Sequence, residues 1–169
     1  MLIGSSSRAN RRTRTSSFHR SRGVRVRIIA VGKAKDRDLR SLLSDYYARI
    51  GRYAKLEEIE IKDGNEAEVS DRLMRSIPDR SRVVALEVDG RALSSHDLAK
   101  WMSRAENESI QTVVFLIGGA YGLPPELSKK ADLRLSMSAM TFPHRLARLV
   151  LAEQIYRAFS ILRNEPYDH

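Results

Sequence analysis

The sequence predicts an α/β fold, with a mainly parallel sheet and helices on both of its faces. Three observations carry that prediction. The stretches 24–32, 82–88 and 113–117 are nearly uninterrupted apolar runs, as in strands covered on both sides. Stretches with apolar residues at helical spacing separate them. The chain has 169 residues, 42% of them hydrophobic, which is enough for one domain with a real core.

Each element has its own signature. Segment 24–32 begins by alternating and ends continuously apolar, and Gly32-Lys33 opens a turn. Segment 36–50 places Leu39, Leu42, Leu43, Tyr46, Tyr47 and Ile50 at helical spacing, and Gly51 stops it. Segment 56–61 alternates and reads as a half-exposed strand. A short helix over 66–77 is closed by Pro78. Segment 82–88 is a buried strand ending in an Asp89-Gly90 turn. Ser94 and Ser95 supply the cap of a helix reaching about residue 107, with Asp97 in its first turn and Leu98, Trp101, Met102 and Ala105 inward. Segment 113–117 runs into Gly118-Gly119-Ala120-Tyr121-Gly122. Pro124-Pro125-Glu126 starts a short helix, and 133–136 is a short strand. The last helix spans 144–163. Ligands of such sheets sit beyond the carboxyl ends of the strands. The turns after Leu86 and Ile117 and the loop after Leu135 lie there.

Charge and cysteine content narrow the function classes. There are no cysteines, so disulfides and thiolate metal sites are excluded and a reducing compartment follows. No apolar run is long enough to span a membrane. The net charge is +9, but residues 1–23 hold six arginines and no acid. The remainder, 24 basic against 21 acidic residues, permits RNA as a partner without demanding it. Residues 1–23 are expected to be a disordered extension preceding one domain over 24–169. A basic arm for RNA, an organellar transit peptide and an inert upstream extension all fit that composition, whereas a secretory signal does not. The location is cytoplasmic, or an organellar matrix if the segment is a transit peptide.

Several residues are site candidates. The glycines of 118–122 match neither a dinucleotide fingerprint nor a phosphate loop. They suit a turn needing positive φ or close approach to a ligand. The loop of Met137, Ser138, Ala139, Met140, Thr141 and Phe142 either packs on the core or walls a pocket for a flat ring, read by backbone groups. His144 stands at the start of the last helix, where donor groups favour a neutral imidazole. The last helix also carries Arg145, Arg148, Arg157 and Arg163, of which Arg145 and Arg163 are read as a solvated face. Glu153 and Arg157 form an i,i+4 pair. No residue set suggests a metal.

The combination Ile-Gly-Gly-x-x-Gly, Ser-x-Met-Thr-Phe-Pro-His and Glu-Gln-Ile-Tyr-Arg-Ala-Phe-Ser-Ile-Leu-Arg-x-Glu-Pro-Tyr, with the opening Ile-Ile-Ala-Val-Gly-Lys, resembles the ribosomal RNA large subunit methyltransferase H family, of the SPOUT class. The resemblance covers residue 24 to the C-terminus. It implies a C-terminal trefoil knot, an obligate homodimer, S-adenosyl-L-methionine as methyl donor, and methylation at N3 of a pseudouridine in large-subunit ribosomal RNA within the ribosome. It implies cofactor contacts at Leu86, Gly118, Met137, Ser138, Ala139, Met140, Thr141 and Phe142. It also implies a target base surrounded by His144, Arg157 and Tyr167, with Glu153 orienting Arg157 and His169 a further candidate. The family tail reads Pro-Tyr-His, whereas this chain has Asp168 at the usual histidine position and His169 one place later. Two other readings stand beside this one: a ribosome-binding protein of the same fold without catalysis, and a nucleotide-dependent enzyme using the glycine turn.

Overall fold

The computed structural model describes residues 23–108 and 110–167. Ten elements alternate: β1 (Arg25–Val31), α1 (Arg37–Ile50), β2 (Leu56–Ile61), α2 (Glu66–Ser76), β3 (Ser81–Ala92), α3 (Ser95–Asn107), β4 (Thr112–Ile117), α4 (Pro125–Lys129), β5 (Leu133–Ser136) and α5 (His144–Leu162). The five strands pair in the order β2-β1-β4-β3-β5, every pair parallel. The predicted α/β class and parallel sheet are what forms. The expected disordered extension lies outside the described residues except for Gly23.

Burial explains the order. β4 is buried along its whole length and sits at the centre, whereas β2, with three glutamates, takes an edge. One face of the sheet is covered by α1, α3 and α5 through Ile50, Leu98, Met102, Leu151, Ile155 and Phe159. The other is covered by α2 and α4 through Val69, Leu73 and Leu127. The helices start on side-chain caps where the sequence offers them. Asp36, Asn65 and Ser94 accept hydrogen bonds from the backbone N–H groups of Leu39, Glu68 and Asp97.

Two sequence expectations change, and a third feature is one the sequence did not announce. The Asp89-Gly90 turn is not a strand end: β3 continues to Ala92, with an irregularity in its pairing to β5 between Leu86 and Arg91. Gly90 is bare because a Cβ there would come within 2.8 Å of the Arg134 and Leu135 backbone. The half-exposed strand β2 turns Glu58 and Glu60 toward α1 and α5 rather than to water, with side chains only 13% and 16% exposed. Their partner is the third feature. Arg148, whose burial the sequence did not announce, has no exposed surface at all.

Candidate active site

A cavity of about 540 Å³ opens beyond the carboxyl ends of β4 and β5 and beside Leu86 to Val88 of β3, among the strand-end segments where the sequence placed a ligand. Its walls are the outgoing stretch of β3 at Leu86, the glycine turn, the loop over 137–142 and the start of α5. Of the candidate cofactor contacts, Leu86, Gly118, Met137, Ser138, Met140, Thr141 and Phe142 border it. Ala139 is exposed and is not among the lining residues.

Local chemistry shapes both segments. Gly118 is required by the turn itself, since a Cβ there would meet the Gly122 carbonyl carbon at 2.4 Å. Gly122 takes the left-handed conformation (φ +79°), and its N–H donates to the Gly119 carbonyl at 3.1 Å. Turn closure therefore accounts for these glycines, with the cavity wall as its consequence. The 137–142 loop is folded by its own hydroxyls. Ser136 Oγ donates to the carbonyls of Val88 (2.9 Å) and Ser138 (3.0 Å), and the Met140 N–H donates to Ser138 Oγ at 2.9 Å. Met140 is left 73% exposed at the rim.

His144 is the first residue of α5 and lines the same cavity. Burial, and then the Arg148 and Arg145 guanidinium groups, hold its imidazole below the usual histidine range, with Asp63 opposing them. It is therefore neutral at pH 7, with a lone pair able to accept a proton.

Glu153, Arg157 and Tyr167 form a second group. Glu153 Oε1 accepts from Arg157 Nε (3.0 Å) and pairs with its Nη2 (2.8 Å). The Tyr167 hydroxyl donates to the same oxygen at 3.3 Å. The Arg157 guanidinium lies 4.9 Å from the Tyr167 ring centre, and the ring meets Tyr156 edge-on at 4.5 Å. Burial, with Tyr46 and Glu153 nearby, pushes the Tyr167 phenol up to about 12. The pairing of Glu153 with Arg157 was legible as an i,i+4 spacing. Tyr156, which seats Tyr167, was not singled out.

His144 and the Glu153–Arg157 pair occupy different stretches of α5. Arg157 follows His144 by thirteen residues on one straight element, or about 20 Å at 1.5 Å per residue. His144 and Arg157 are therefore separated along the axis of α5. His169 lies outside the described residues. Among those residues, no group of three or more histidines or acids could hold a metal, and no helix is long and apolar enough to cross a membrane.

Arg148 is the feature the sequence reading missed. Its guanidinium reaches Glu58 Oε1 (3.0 Å), Glu60 Oε1 (2.7 Å) and the Gly32 carbonyl (2.9 Å). Arg40 reaches both of these carboxylates, and the Tyr47 hydroxyl donates to Glu58. The available signal was its position: four residues after His144, it shares that residue's helix face.

Comparison with known proteins places this arrangement in a family. Residues 24–169 match the family described as predicted SPOUT methyltransferase. Relatives named ribosomal RNA large subunit methyltransferase H include one from Sorangium cellulosum, 50% identical over 146 residues, covering 86% of this chain and all of the relative. Those from Carboxydothermus hydrogenoformans and Geobacter sulfurreducens are 40% and 39% identical, covering 85% and 86% of this chain and 99% and 100% of themselves. With a cavity at the strand ends, a knit glycine turn and a match along the whole described domain, the chain belongs to the SPOUT methyltransferase family.

Proposed function

We propose that this chain transfers a methyl group from S-adenosyl-L-methionine to N3 of a pseudouridine in large-subunit ribosomal RNA. The observation that carries the reading is the cavity, whose volume falls within the roughly 300–1,000 Å³ of small-molecule sites. Its lining fits the donor. Leu86, Met137 and Phe142 offer apolar surface to a flat ring, and the glycine turn and the 137–142 loop bring backbone to the wall. The names of the relatives support the RNA substrate.

The donor, when bound, supplies an electrophilic methyl group. In the reaction a carbon–sulfur bond breaks, a carbon–nitrogen bond forms at N3, and the N3 proton must leave. His144, neutral and at the cavity wall, accepts that proton. Arg157, held by Glu153, is a donor for the developing negative charge on the base or for a phosphate. Tyr167 offers a ring for stacking. Because Arg157 follows His144 by about 20 Å along the axis of α5, and Tyr167 packs on Arg157, we place the composite site between two copies, each tail serving the other's cavity. Leu146 and Met140, apolar and exposed beside that cavity, suit a homodimer interface. A knotted C-terminal segment and a cytoplasmic location belong to the same reading.

The test is methyl transfer to purified ribosomes, with N3-methylpseudouridine sought by mass spectrometry of RNA digests. Stoichiometric modification is the expected result. Donor binding without transfer would favour the non-catalytic RNA-binding reading instead.

A further inference from the structure

The buried charges behind the cavity have no evident reason in stability. Arg148 is fully enclosed, yet its Nε finds no hydrogen-bond partner. Apolar side chains of similar volume commonly serve a core at least as well as a buried ionic cluster. What the cluster does accomplish is local. The turn after β1 is tied down three times: the Gly32 N–H to the Ile61 carbonyl (2.8 Å), the Gly32 carbonyl to Arg148, and the Ala34 N–H to Glu60 Oε1 (2.9 Å). Gly32 is held there at φ +89°, and a Cβ on it would lie 3.5 Å from His144 Nε2. The imidazole thus sits directly against the turn that Arg148 and Glu60 clamp. Among the described residues its ring makes no hydrogen bond or ion pair of its own.

We infer that Arg148, with Glu58 and Glu60, is a positioning device for His144: it fixes the Gly32 turn against the imidazole and sets the charge that the imidazole faces. The inference rests on the proposed function for its catalytic meaning, but not for its test. The charged groups acting on His144 are Arg148 and Arg145 on its own helix and Asp63 on the loop after β2, and the β1–α1 turn meets it at Gly32. Removing the Arg148 cation leaves two carboxylates balanced by Arg40 alone, which favours imidazolium. Removing the Glu60 anion leaves excess positive charge, which disfavours it.

The experiment is an NMR titration of the His144 imidazole in the full chain, with its resonance assigned by its loss in His144→Gln. Arg148→Met is expected to raise the midpoint by about half a pH unit or more, and Glu60→Gln to lower it. Arg148→Lys, which keeps the charge, stays near the parent. Opposite signs from two substitutions in one cluster are not what general loosening produces. Midpoints unmoved in both variants, with near-ultraviolet dichroism intact, would overturn the inference. Should Arg148→Met not fold, Glu60→Gln beside Arg148→Lys decides alone. Failure of methyl transfer on ribosomes would remove the proposed function and leave this result standing.

Discussion

Two glycines four positions apart in one turn illustrate how different constraints share one residue type. At Gly122 nothing lies within 4 Å of an added Cβ, and only the positive φ resists substitution. Gly122→Ala should therefore cost about 1–2 kcal/mol in urea unfolding and leave the turn in place. At Gly118 the added carbon would overlap backbone, so the turn itself must move. Gly118→Ala should lose S-adenosyl-methionine binding by calorimetry, and unchanged affinity would remove the turn from the site. Arg148 obeys a third constraint. Truncating it leaves two half-buried carboxylates without their main cation, so Arg148→Ala should destabilise by about 3–5 kcal/mol.

Histidine 144 adds a pH dependence whose sign follows from its environment. Its folded value lies below the unfolded 6.5, so the unfolded chain binds more protons as pH falls through that range. Stability should therefore decline on going from pH 7.5 to 5.5, and His144→Gln should flatten that limb in denaturant titrations. Glu60 adds a second loss at lower pH. Burial raises its carboxyl, but the Ala34 N–H and Arg148 outweigh that and hold it below 4.5, so its contribution fades as pH drops below that value.

At the scale of elements, the helix starts were readable because their signals are local. Asp36, Asn65 and Ser94 each sit one residue before a helix and cap it with a side-chain oxygen. Asp36→Ala should cost about 1 kcal/mol, measurable as a lower urea midpoint with unchanged slope. The strand ends were less legible. Asp89-Gly90 carries the composition of a turn, but β5 pairs with β3 on both sides of the irregularity and draws Arg91 and Ala92 back into the sheet. No neighbour in sequence announces that pairing. β2 misled for a related reason: alternation shows that one face differs from the other, not which one is wet. The glutamates point inward because an arginine from α5, some ninety positions away, meets them.

For the molecule as a whole, the candidate groups are spread along α5. His144 stands at one end, against the cavity, and Arg157 with Tyr167 near the other, packed on Tyr156. If each tail serves the other copy's cavity, two separately inactive variants should complement. Mixing His144→Gln with Arg157→Met subunits after unfolding and refolding should restore about a quarter of parental methyl transfer, since half the dimers are mixed and each holds one intact site. No recovery in verified mixed dimers would place the whole site within one copy.

The sequence by itself determined the α/β class, the parallel sheet and the two segments that wall the cavity. Apolar runs, helical spacing and glycine turns are statements about neighbours along the chain, and the motifs in 24–167 carried the family. Only the tertiary structure decided that Arg148 is buried, that Glu58 and Glu60 face inward, and that His144 rests on Gly32. Those facts depend on which distant segments meet. A charge reads as solvated until its partner, remote in sequence, is brought against it.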